Sequence, residues 1–101
     1  MTVQIIDLAD AYAQTLRVTL GNQDCRIDIR QNSSGMYLSL SVADLPVSSG
    51  VVCRDRTRIV RSKAAGFVGD LAFVDTQGNS DPSSPGIGTR FFLCYGAAED
   101  F

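Results

Sequence analysis

The chain has 101 residues, 45% of them apolar and 20% charged, with a formal charge of −2, three cysteines, no histidine and no tryptophan. That length predicts one compact domain spanning residues 1–101, the apolar share excludes a disordered chain, and no apolar run reaches the roughly 18–20 residues of a membrane-spanning helix. A slightly acidic balance gives no overall pull toward a polyanion, and the absence of histidine removes Ser-His and Cys-His couples and every His-bearing zinc site.

The first 13 residues are expected to form an N-terminal arm. The opening MTVQIIDLAD lacks the basic start of an export signal, so the chain is expected to be soluble and not exported. Asp7 to Gln14 is the one helix candidate, with Asp7 as cap and Leu8, Ala11 and Tyr12 on one face. From Leu16 to Leu20 apolar and polar residues alternate, which predicts a strand with one buried face, and Gly21-Asn22-Gln23-Asp24 supplies a turn. Cys25, Ile27 and Ile29, then Met36, Leu38, Leu40 and Val42, keep the same period on either side of a loop over Gln31–Gly35. This is a β-hairpin with Cys25 on its core face. After Pro46, Val47–Cys53 and Arg58–Arg61 are candidate strands around the turn Arg54-Asp55-Arg56-Thr57.

Phe67–Val74 is apolar on both faces and interrupted by Gly69 and Asp70, which predicts a more central strand with a bulge or a close backbone approach. Asp75–Thr89 is polar, punctuated by Pro and Gly, and too long for a hairpin turn; loops of that length are functional or disordered. Phe91–Tyr95 is apolar throughout, as expected of a strand buried on both sides or covered by a neighbouring chain, and residues 96–101 form a frayed acidic tail. The predicted fold is all-β, a small antiparallel barrel or sandwich of about seven strands, with at most one short N-terminal helix.

Chemistry is sparse. Cys25, Cys53 and Cys94 are too few and too far apart for a disulfide framework or a thiolate metal knuckle, so they are expected to be buried free thiols. A nucleophilic Cys94 would need a base, and Arg90 stays protonated. Asp75, Asn79 and Asp81 offer oxygens to a cation, but a helix-loop-helix calcium loop starting at Asp75 needs glutamate where Gly86 stands. Local turns explain these residues more simply. Eleven acidic residues single out no carboxylate pair, and Gly86-Ile87-Gly88 lacks the third glycine of a dinucleotide fingerprint. The densest feature is basic: Arg54, Arg56, Arg58, Arg61 and Lys63 lie within ten positions. Arg54, Arg56 and Arg58 recur at spacing two and on an extended segment would project from one face, as a charged edge strand, an interface for an acidic protein, or a phosphate-tracking surface. No aromatic residue interleaves them and Asp55 sits among them, which weakens the last reading.

The ordered series GNQDCRIDIRQNSSGMYLSLSVADLPV, GVVCRDRTRIVR and GFVGDLAFVDTQGNSDPSSPGIGTRFFLCY, over about residues 14–95, resembles the small baseplate plug proteins of contractile-tailed bacteriophages, of the cyanophage baseplate plug type. Its most specific part is Gly66-Phe67-Val68-Gly69-Asp70-Leu71, then Asp75-Thr76-Gln77-Gly78, Asp81-Pro82, Gly86, Gly88 and Arg90. Ser83-Ser84-Pro85 departs from the aromatic residue and threonine expected between Pro82 and Gly86, and Ala64-Ala65 from the bulkier residues expected before Gly66. The resemblance implies a non-catalytic virion subunit without cofactor or metal, made in the host bacterial cytoplasm and located in the tail baseplate. It would plug or line the axial end of the tail tube, in contact with hub and tube-end proteins and with copies of itself. The expected interface residues are Arg54, Arg56, Arg58, Arg61, Lys63, Asp75, Gln77, Asp81 and Arg90. The alternative is a small β-barrel that binds single-stranded nucleic acid through the stripe from Arg54 to Lys63; otherwise neither nucleic acid nor membrane is an expected partner.

Overall fold

The computed structural model describes residues 4–60, 67 and 69–96. Its strands are β1 (Gln4–Ile6), β2 (Ala13–Leu20), β3 (Gln23–Asn32), β4 (Gly35–Val42), β5 (Leu45–Val52), β6 (Asp70–Asp75) and β7 (Phe91–Gly96). They form two antiparallel sheets, one in the order β2-β3-β4-β5 and the other β1-β7-β6. The arrangement is a sandwich, not a closed barrel.

The larger sheet follows from alternation. Cys25 faces Val42, Ile27 faces Leu40 and Ile29 faces Leu38, so one face of the β3-β4 pair is continuous hydrocarbon. A register slip of one residue would turn that row to water, which fixes the pairing. The turns agree with it. Gly21-Asn22 (φ 57° and 61°) and Ala43-Asp44 (φ 50° and 64°) take positive φ at both central positions, the backbone that joins two twisted strands with two residues. The β3-β4 loop is shorter than the predicted Gln31–Gly35, because Asn32 still pairs with Gly35. Only Ser33 and Ser34 are left in the turn, where the Asn32 side chain accepts the Ser34 N–H at 2.8 Å.

Two expectations are corrected at the N-terminus and at β6. No helix forms over Asp7–Gln14; residues 7–12 are irregular and Ala13 and Gln14 already belong to β2. A helix of two turns has little to offset its nucleation, whereas Tyr12 O accepts the Gln31 N–H at 2.7 Å and carries the pairing with β3 beyond β2. The Gln14 side chain completes the turn by bonding both N–H and C=O of Ala9. In the smaller sheet β7, expected to be buried on both sides, is central, while β6, expected from Phe67–Val74 to be a more central strand, lies at the margin. The free side of β6 is covered by residues 55–60, where Arg56 N donates to Phe73 O at 2.8 Å and Ile59 N to Leu71 O at 2.9 Å. Arg58–Val60 therefore run as an irregular strap and not as a strand; Arg61 lies outside the described residues.

Leu20, Ile27, Ile29, Leu38 and Leu40 of one sheet and Leu71, Phe73 and Leu93 of the other are fully buried and make the core. Each such side chain stabilises the fold by about 1.5–3 kcal/mol relative to exposure. Tyr95 joins the layers: its ring meets Phe67 edge to face at 5.6 Å and lies against Gly21 of the β2-β3 turn and Gly69 before β6.

Candidate interface loop and its arginine network

The segment between β6 and β7 is the long polar loop, and one carboxylate organises its first half. The Asp75 side chain ends β6 fully buried. Its Oδ1 accepts from Arg90 Nε and Gln77 N, both at 2.8 Å, and its Oδ2 from Arg90 Nη2 at 2.9 Å and Ser80 N at 2.8 Å. A two-pronged guanidinium and two backbone amides fill both oxygens, a pairing whose geometry makes it strong. The Arg90 guanidinium holds the Asp75 carboxyl well below the usual carboxylate range against the opposing effect of burial, and Arg90 is raised in turn. Arg90 also lies over the Phe91 ring at 5.0 Å, and its carbonyl accepts from Thr76 N and Thr76 Oγ1.

The strap beyond β5 laces onto this loop. Asp55 Oδ1 accepts the Asp75 N–H at 2.8 Å, while Asp81 Oδ1 accepts the Asp55 N–H at 3.0 Å and Asp81 Oδ2 pairs with Arg54 at 3.4 Å. Arg56 reaches Gly78 O at 3.3 Å, Asn79 Oδ1 at 3.1 Å and Asp75 O at 3.1 Å, and pairs with Asp55. The second half of the loop is held by residues far away in sequence. Asp10 accepts from Ser84 Oγ at 2.6 Å and from the N–H groups of Gly86 and Ile87, and its carboxyl is lowered by them. Gln31 brackets Ser84, accepting its N–H at 2.6 Å and donating to its carbonyl at 3.3 Å.

Of the residues expected to form the interface, the fold brings together Arg54, Arg56, Asp75, Gln77, Asp81 and Arg90. They do not make a one-sided basic stripe: Arg56 has φ 55°, which turns the backbone, and both it and Arg54 fold onto the loop. Arg58 is half-buried on the strap, and Arg61 and Lys63 lie outside the described residues. Asp10, Gln31, Asp55 and Asn79 were not among the expected residues, and no local signal in the chain marks the first two, whose partners are distant.

The arrangement shapes a loop. Its carboxylates are occupied by N–H donors, the three thiols are buried with burial pushing Cys53 up to about 12, and no group of three metal-ligating side chains gathers among the described residues. The outer rim, with Arg54, Arg56 and Asp81 more than half exposed, presents both signs of charge from a backbone already ordered.

A family model described as cyanophage baseplate Pam3 plug gp18 matches residues 3–98, nearly the whole chain. The chain belongs to this family. Comparison with curated proteins gave no match. Membership in the baseplate plug family supports a structural role in the phage tail baseplate, among other baseplate components, and speaks against an enzyme.

Proposed function

We propose that the chain is a non-catalytic subunit that plugs or lines the axial end of the phage tail tube, touching hub and tube-end proteins, after synthesis in the host cytoplasm. The family match over residues 3–98 carries this reading. The rim formed by the 54–56 strap and the 75–90 loop supports it as the contact surface, with Arg54, Arg56, Asp75, Gln77, Asp81 and Arg90 setting its shape and charge and Arg58 beside them on the strap; Arg61 and Lys63 belong to the same proposal by sequence alone. Acidic patches on a neighbour suit Arg54 and Arg56, whose exposed sides have capacity left for partners. The test is co-assembly of the purified chain with hub and tube-end proteins. Exchange of Arg54 and Arg58 for Ser is expected to weaken the complex while the chain still unfolds cooperatively; unchanged assembly would return these arginines to a purely intramolecular role. Micromolar binding of single-stranded DNA that collapses as salt rises would favour the nucleic-acid reading instead.

A further inference from the structure

Four strands lie at sheet margins, and three of them are protected. β6 is covered by the strap, β5 carries register irregularities together with Pro46 and Gly50, and β1 has three residues. β2 differs: eight residues without Gly, Pro or bulge, paired in continuous register with β3. Such an edge is a template for another strand. Tyr12 O accepts from Gln31 N, and Leu20 faces Gln23 across a two-residue turn, so the even-numbered residues of β2 exchange hydrogen bonds with β3. The N–H and C=O groups of Ala13, Thr15, Arg17 and Thr19 then point away from β3, and no described residue bonds to them. Leu16 and Val18, on the inner face beside this edge, pack on the core yet stay half-exposed.

We propose that β2 is a self-association edge, on which a second copy of this chain adds its own β2 antiparallel about a two-fold axis at Leu16. The register is selected by the sequence AQTLRVTL. With Leu16 opposite Leu16 of the second copy, Ala13 faces Thr19 and Thr15 faces Arg17, so every outward N–H and C=O of the strand finds a partner. Leu16 and Val18 gain cover, and Arg17 meets a hydroxyl. Shifting the axis to Arg17 sets two guanidiniums face to face and leaves Ala13 opposite the turn, and a one-residue slip would place the polar face on the apolar one. The occupant is thus the strand itself, joined in the one register that satisfies its backbone without opposing like charges.

Sedimentation of the full chain over a concentration series tests this, with Thr15→Glu and Thr15→Arg beside the native protein and a thermal melt of each to confirm folding. The native chain is expected to move from 10.9 kDa to twice that mass. Thr15→Glu faces Arg17 of the second copy at two symmetric positions and should tighten the dimer by about two- to thirtyfold, and Thr15→Arg should weaken it by a similar factor. A monomer at every concentration, or a dimer whose affinity ignores or reverses the two charge changes, overturns the proposal and leaves the baseplate reading as it stands.

Discussion

Gly69 offers the sharpest test of how the two sheets are joined. Its φ of 94° lies in a region that L side chains rarely adopt, and a Cβ built there would sit 2.7 Å from Gly96 O and 2.8 Å from the Tyr95 ring. In Gly69→Ala the unfavourable backbone costs about 1–2 kcal/mol. Relief of the contact must part the start of β6 from the end of β7, where Asp70 pairs with Gly96, and loses about one further hydrogen bond, ~1 kcal/mol. With the reduced freedom of the unfolded chain, ~0.4–1 kcal/mol, counted against it, the expected loss is about 1–2.5 kcal/mol, or roughly 5–20 °C in Tm for a domain of this size. Gly50→Ala is the control: φ is 59° and nothing lies within 4 Å of the added carbon, so its loss should stay below about 1 kcal/mol once the reduced freedom of the unfolded chain is counted. Urea unfolding followed by far-UV circular dichroism measures both. If Gly69→Ala falls within about 0.5 kcal/mol of Gly50→Ala, well inside the ~1 kcal/mol assigned to that lost bond, the close approach of β6, β7 and Tyr95 does not exist as described.

Three further outcomes follow from the same geometry. The folded Asp75 carboxyl lies below its ordinary value of 3.8, so its contribution to stability is complete above that pH and fades as pH falls below it; Asp75→Asn should flatten the acid limb of a stability profile and speed amide exchange at Gln77 and Ser80. An unchanged acid limb would remove Asp75 as the loop's organiser. Cys25, Cys53 and Cys94 are buried and their thiols raised by burial, so a thiol reagent at pH 8 should react slowly with native protein and with all three after unfolding; one fast thiol in the native state would contradict the burial. Ala43 holds φ 50° in the β4-β5 turn, and Ala43→Gly should raise stability by about 0.5 kcal/mol in urea titrations, a loss being the contrary result.

What could be read from the residues in advance is what depends on neighbours a few positions away. The period of two in Cys25–Ile29 and Met36–Val42 needs only the pleat and one apolar face, and it returned the β3-β4 pairing. The interruption at Gly69-Asp70 marked a close approach because only glycine leaves room for one. The arginine run misled for a tertiary reason: spacing of two implies one face only if the backbone stays extended, and Arg56 turns at positive φ so that it and Arg54 meet Asp75–Asp81, some 20 residues on. Asp10 reaches Ser84 across 74 positions, a contact that no window of sequence contains. The helix expected over Asp7–Gln14 failed because its apolar spacing also suits an irregular arm leading into β2, where strand pairing decides between the two.

A baseplate plug is a built-in part of the tail. Mass spectrometry of purified tails from the phage that encodes it, paired with a density map of the baseplate, tests that directly. The chain is expected at a fixed stoichiometry, with its two-sheet sandwich resolved at the axial end of the tube. Tails that are complete and infectious without it would show that the chain is no part of the baseplate.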